Sequence, residues 1–108
     1  MSEGPITEGR GPIVVRVEPE LEELIPGFLQ HRRDDAAAIL AALEGRNFNA
    51  IRVAGHTLKG IGGGYGFDEI TTIGEALERA GAAGEPETVR RCVGRLWEFL
   101  DRVQVVFG

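Results

Sequence analysis

The chain has 108 residues, of which 43% are hydrophobic, and a net charge of −5 at pH 7 from 17 acidic and 12 basic residues. This length and composition fit one soluble globular domain and exclude two independent cores. The acidic balance argues against nucleic acid as a general partner. No run of about 18 uncharged apolar residues is present to span a membrane, and a single cysteine excludes an internal disulfide. With no basic-then-apolar leader pattern, we expect a cytoplasmic location.

Residues 1–17 are predicted to form a flexible or extended N-terminal arm, and residues 18–108 the folded domain. Glycine and proline are frequent among residues 1–12, as in a flexible tail or a linker. The segment Ile13–Val17 is rich in β-branched residues, which favours an extended conformation. It has no evident strand partner in the sequence, so we expect it to pack on the domain as an arm.

Amphipathic helical patterns follow one another after residue 18. Pro26 removes the backbone hydrogen bond to Glu22, so the pattern predicts a short helix to about residue 25 and a longer one over 26–43. The next helix follows Asn47, another has Asp68 as its predicted N-cap, and the last begins at Pro86 with the apolar face Val89, Cys92, Val93, Leu96, Leu100, Val103 and Phe107. The predicted fold is all-α, an antiparallel four-helix bundle with an extended or flexible N-terminal arm.

The helix after Asn47 carries His56, one of the two histidines of the chain. Apolar or small residues recur along it at steps of three and four and define one face: Phe48, Ile51, Gly55, Leu58, Gly62 and Tyr65. At 3.6 residues per turn, His56 lies roughly 130° from the centre of that face and is predicted to point outward. Its neighbours on the outer stripe are Asn49, Arg52, Lys59, Gly60 and Gly63.

This arrangement suits phosphoryl chemistry. An exposed neutral imidazole is a nucleophile at cellular pH. Arg52 lies one turn before His56, and Lys59, the only lysine of the chain, lies one turn after it. Both cations can hydrogen-bond a phosphoryl group through strong, charge-assisted bonds. Phosphoryl transfer needs in-line positioning and charge neutralisation above all, so a small site suffices if a partner brings the metal and the acceptor.

Glycines stand at positions 60, 62, 63 and 64, where each costs about 1 kcal/mol relative to alanine if it lies inside a helix. At Gly60 the predicted benefit is clearance, because a missing Cβ lets another protein close over His56. Alternatively the helix ends here, and the glycines form its C-cap and a loop. Whether residues 62–64 are helical stays open, and Gly66 is predicted to be a loop or cap glycine.

This stretch resembles the core of histidine-containing phosphotransfer (HPt) domains. Their pattern of His, any residue, Leu, Lys, Gly, five residues and Gly is met by His56, Leu58, Lys59, Gly60 and Gly66. The resemblance extends over roughly residues 20–106, with the glycine run at 62–64 as its main departure. It implies a four-helix bundle in which His56 accepts a phosphoryl group from a receiver-domain aspartate or a histidine kinase and passes it to another receiver. By the same resemblance Lys59 is the electrostatic partner of His56, and Gly60 is a space-making neighbour.

The resemblance also implies the partners: the receiver domain of a response regulator and a hybrid histidine kinase, with the chain itself a monomer. No intrinsic cofactor is expected, and Mg²⁺ would come with the receiver. Arg52, Asn49, Gly60 and Gly63 are then predicted to contact the partner. Autonomous kinase activity is not expected, because the run Gly62-Gly63-Gly64 lacks the Lys-Ser/Thr pair of a P-loop.

One alternative is a helical interaction module that binds a receiver or kinase domain without being phosphorylated. An enzyme with His56 as general base lacks support, since an exposed, glycine-flanked stripe predicts neither an orienting group nor a water-excluding pocket. A metal site is not expected either, because His31 and His56 have no companions at ligand spacing. His31 is interpreted as a solvated surface histidine.

Overall fold

The computed structural model describes residues 11–108, and the flexibility predicted for the first ten residues lies outside them. The elements in chain order are β1 (Ile13–Val17), a 3₁₀ helix (Pro19–Leu24), α1 (Ile25–Glu44), α2 (Phe48–Tyr65), α3 (Asp68–Ala83), α4 (Pro86–Arg102) and β2 (Val103–Phe107). The four α-helices form the antiparallel bundle that the sequence predicts. Among the described helices, none combines the length and the apolar character needed to cross a bilayer.

Local sequence explains where the helices begin and end. Pro26 lies in the first turn of α1, where its missing N–H breaks no helical hydrogen bond. The short helix and the longer one that the sequence predicts here are both present, but the 3₁₀ helix runs directly into α1 without a break. The Asn47 side chain caps α2 by accepting a hydrogen bond from the amide of Ala50 at 3.1 Å. Gly66 ends α2 in the left-handed conformation, with φ 85°, which glycine adopts without strain. The glycine run at 62–64 is therefore helical.

The hydrophobic core lies between the four helices and takes apolar side chains from each of them. Phe67, in the turn between α2 and α3, is fully buried at one end of this core. Its ring stacks on Phe28 of α1 at a centroid distance of 5.0 Å and meets the edge of Phe99 of α4 at 6.2 Å. These aromatic contacts thus connect two helices, α1 and α4, to the α2–α3 turn.

Helices α2 and α3 approach each other closely through four buried glycines, Gly55 and Gly62 on α2 and Gly74 and Gly81 on α3. A Cβ on Gly74 would lie 2.5 Å from the backbone nitrogen of Lys59, and a Cβ on Gly81 would lie 2.5 Å from that of Arg52. At these positions the helix-propensity cost of glycine is offset by backbone packing that no larger residue permits.

β1 and β2 form a parallel two-stranded sheet in which Ile13 lies opposite Val103 and Val17 lies opposite Phe107. Two sequence predictions were therefore wrong: β1 has a strand partner, and the last helix does not continue to Phe107. The chain leaves α4 after Arg102, because Val103 has an extended backbone with φ −67° and ψ 136°. The valines of β2 favour a strand, and an apolar step of four residues fits both a helix face and one face of a strand.

Candidate functional site: His56, Glu78 and Lys59

His56 lies in the middle of α2 on its solvent-exposed face. Its side chain is 68% exposed, whereas its neighbours Gly55 and Leu58 are buried on the opposite face. The outward orientation predicted from the helical period is therefore what the structure has. An imidazole in this position is accessible to the active site of another protein.

The imidazole is held by a residue from the next helix. His56 Nδ1 lies 3.1 Å from Oε2 of Glu78, which is on α3. The second carboxylate oxygen of Glu78, Oε1, lies 3.0 Å from Nζ of Lys59 on α2. Glu78 thus bridges the two residues that the sequence predicts to act together, and its side chain is only 25% exposed.

Close packing of the helices brings Glu78 to this place. Gly55 is the residue just before His56, and a Cβ there would collide with the backbone nitrogen of Glu78. Gly74 lies one turn before Glu78 and faces the backbone of Lys59 in the same way. The Thr71 hydroxyl adds a hydrogen bond of 3.2 Å to the carbonyl oxygen of Lys59. These contacts fix the position of α3 against α2 at the level of the site.

The carboxylate of Glu78 determines which ring nitrogen of neutral His56 carries the proton. The hydrogen bond from Lys59 lowers the pKa of the Glu78 carboxyl below its usual value, partial burial opposes this, and the hydrogen bond with His56 lowers the pKa further. A carboxylate accepts hydrogen bonds only, so neutral His56 donates from a protonated Nδ1. The lone pair of Nε2 is then free, and Nε2 has no hydrogen-bond partner within residues 11–108.

Arg52 is engaged elsewhere. Its Nε and Nη2 atoms lie 3.2 and 3.0 Å from Oδ1 of Asn49, and both side chains are exposed one to two turns before His56. The structure therefore brings Lys59 to His56 through Glu78, and it joins Arg52 to Asn49 instead of to the histidine.

Beyond His56, the outer face of α2 is nearly bare. A Cβ added to Gly60 or Gly64 would meet nothing within 4 Å, and one added to Gly63 would lie 3.8 Å from the Thr71 hydroxyl. These three glycines are exposed, whereas Gly62 is buried against α3. The glycines thus belong to two different surfaces, the buried contact with α3 and the exposed face of α2. Nothing in the described part of the chain requires glycine at positions 60 and 64.

Glu78 is the residue that sequence reasoning missed. The expectation that no orienting group lies near His56 was wrong, because Glu78 makes a direct hydrogen bond to the ring. The residues are 22 positions apart and on different helices, so helical spacing cannot connect them. A usable signal was present in the glycines at 55 and 62 and at 74 and 81, each pair seven residues apart, which indicate a close contact of two helices.

The structure thus combines a helical bundle, an exposed histidine on one helix and a carboxylate from the next helix at its ring. In the comparison with protein families, the model described as "Hpt domain" matches residues 23–105. No curated protein and no solved structure matches the chain. Because the match includes most of the chain, the protein belongs to the Hpt domain family, whose members are phosphocarrier modules of two-component signalling and not kinases.

Proposed function

We propose that the chain is a phosphorelay intermediate in which Nε2 of His56 accepts a phosphoryl group and passes it on. The donor is the phospho-aspartate of a receiver domain or a histidine kinase, and the acceptor is another receiver. The observation that carries the proposal is the hydrogen bond between Glu78 and Nδ1, which leaves the exposed Nε2 as the nucleophilic atom. The match to the Hpt family supports the same reading.

The transfer step follows from this geometry. The lone pair of Nε2 forms a bond to phosphorus as the bond between phosphorus and the aspartate oxygen breaks, and the aspartate leaves as a carboxylate. The proton on Nδ1 stays where it is, so the phosphorylated ring carries a positive charge. The carboxylate of Glu78, 3.1 Å from Nδ1, offsets that charge. Lys59 is close enough to neutralise the oxygens of the transferred group.

The surface around His56 is suited to a protein partner. Val53, one turn before His56, is 48% exposed and offers an apolar contact. Gly60, Gly63 and Gly64 place no side chains on the next two turns of α2, so a partner can come close to the helix backbone. Asn49 and Arg52 provide polar contacts at the rim, as proposed from the sequence. A receiver domain or a hybrid histidine kinase is the partner that we propose, with Mg²⁺ held by the receiver.

We infer that the chain acts in the cytoplasm, with the response regulators, as a monomer without a cofactor of its own. Transfer is tested with a panel of phosphorylated receiver domains and Mg²⁺, by measuring both complex formation and phosphate on the chain. Transfer to the chain, and from it to a second receiver, is the expected result. Binding without transfer from any receiver would contradict the carrier role and favour an interaction module that is not phosphorylated.

A further inference from the structure

Lys59, the cation assigned to the phosphoryl group, already has a partner in the unphosphorylated protein. Its ammonium lies 3.0 Å from Oε1 of Glu78, while Oε2 of the same carboxylate lies 3.1 Å from His56. A phosphoryl group that arrives on Nε2 therefore meets a lysine whose charge is paired. The two anions have to share this cation or exchange it.

We propose that phosphorylation of His56 moves Lys59 from Glu78 to the phosphoryl oxygens, an inference that rests on the proposed function. The phosphoryl group carries up to two negative charges against one on Glu78. The lysine has a flexible four-carbon stem and a side chain that is 37% exposed, so its ammonium is free to swing outward. His56 and Lys59 are one turn apart on α2, which puts the new partner within reach. Glu78 then keeps only its hydrogen bond to Nδ1.

This exchange gives Glu78 two opposing effects on the phosphorylated state. The bond to Nδ1 favours phosphohistidine, because it offsets the charge of the ring. The competition for Lys59 disfavours it, because one ion pair is lost when the other forms. A carrier needs this balance, since a phosphoryl group held too firmly is not passed on. Glu78 is thus a positioning residue that also limits the stability of the phosphorylated state.

The exchange is tested by chemical phosphorylation, which needs no partner protein. Phosphoramidate transfers its phosphoryl group to a histidine: the nitrogen–phosphorus bond of the reagent breaks, the bond to Nε2 forms, and ammonia leaves. At fixed concentrations of phosphoramidate and ammonia, ³¹P NMR gives the level of phospho-His56. A His31→Gln background removes the other histidine of the chain. Lys59→Gln and Glu78→Gln are made singly and together.

Two cases are distinguished by how the effect of Lys59→Gln on the phosphohistidine equilibrium depends on Glu78. In one, Lys59 leaves Glu78 for the phosphoryl group, and in the other Lys59 contacts both anions at once. If Glu78 competes for Lys59, Lys59→Gln lowers the phosphohistidine equilibrium about two- to fivefold more in the Glu78→Gln background than in the parent. An equal or smaller loss in that background would overturn the exchange, because Glu78 would then be indifferent to Lys59 or would help to hold it on the phosphoryl group. Arg79→Gln, which removes an exposed cation paired with Glu75, is the control and should leave the equilibrium unchanged in both backgrounds.

A second measurement follows the lysine itself. Because Lys59 is the only lysine, ¹⁵N-lysine labelling gives one side-chain Nζ signal. In the unphosphorylated proteins this signal should differ between the parent and Glu78→Gln, and after phosphorylation the two should coincide. A difference that persists after phosphorylation would show that Lys59 stays on Glu78 and would overturn the proposal. Neither experiment depends on transfer from a receiver, so failure here leaves the proposed carrier function untouched, and failure of transfer leaves the lysine exchange testable.

Discussion

Gly55 on α2 lies directly against the backbone of Glu78 on α3, with no room for a Cβ between them. Since His56 is the next residue along α2, this contact places the carboxylate of Glu78 beside the imidazole ring. The orientation of the histidine therefore depends on a residue that has no side chain. The same close contact offsets the low helix propensity of the buried glycines, because the backbones of α2 and α3 pack directly against each other.

Gly55→Ala should destabilise the bundle by about 1–3 kcal/mol, because the added methyl group forces α3 away from α2. Denaturant unfolding measures the loss. Gly94→Ala on α4 is the matched control: a Cβ there meets nothing within 4 Å, and the change should stabilise the helix by about 0.5–1 kcal/mol. Equal stability of the two variants would contradict the close contact of the helices.

Gly60→Leu and Gly64→Leu should weaken binding of a receiver domain and slow transfer at least tenfold, because a side chain on this face keeps the partner's active site away from His56. Stability should not fall, since both sites are open in the free protein. Gly94→Leu makes the same exchange on an exposed face of another helix and should leave transfer unchanged. If the α2 variants bind and transfer as well as the Gly94 variant, the partner does not approach this face.

Lys59→Ala should slow transfer about ten- to a hundredfold, as expected for loss of a charge-assisted hydrogen bond to the phosphoryl group. The helix content in circular dichroism should stay the same, because the residue is partly exposed and the ion pair that it makes is weak. Arg79→Ala removes an exposed cation from α3 and serves as the control. Unchanged transfer kinetics in the Lys59 variant would remove the role proposed for this residue.

Glu78→Gln should change how stability depends on pH. Lys59 lowers the pKa of the Glu78 carboxyl in the folded protein, so the carboxylate contributes stability above its unfolded pKa and loses it as the pH falls through the lower folded pKa. The parent should therefore exceed Glu78→Gln in thermal stability at pH 7, and the difference should shrink below about pH 4. Glu75→Gln, on the same helix, is the control, because it shows how much stability changes when an exposed carboxylate is removed. A difference that is independent of pH would contradict the ion pair.

The sequence predicts α2 well because one helix face can be read from its spacing. The N-cap at Asn47 and the outward direction of His56 both depend on residues that are close together in the chain. The sequence left open whether the helix continues through residues 62–64 to Gly66. Glu78 could not be found in this way, because its contact with His56 depends on how α3 packs against α2. The strand β2 was missed for a related reason: its partner β1 is at the other end of the chain, and apolar spacing alone does not distinguish it from the last turn of α4.

The most direct test is whether His56 becomes phosphorylated. The parent, His56→Gln and His31→Gln are each incubated with a phosphorylated receiver domain that binds the chain, and acid-labile, alkali-stable phosphate is measured. We expect label on the parent and on His31→Gln, and none on His56→Gln, which should keep its helix content because residue 56 is exposed. Label that persists on His56→Gln, or that is lost from His31→Gln alone, would contradict the assignment of His56 as the phosphoryl acceptor.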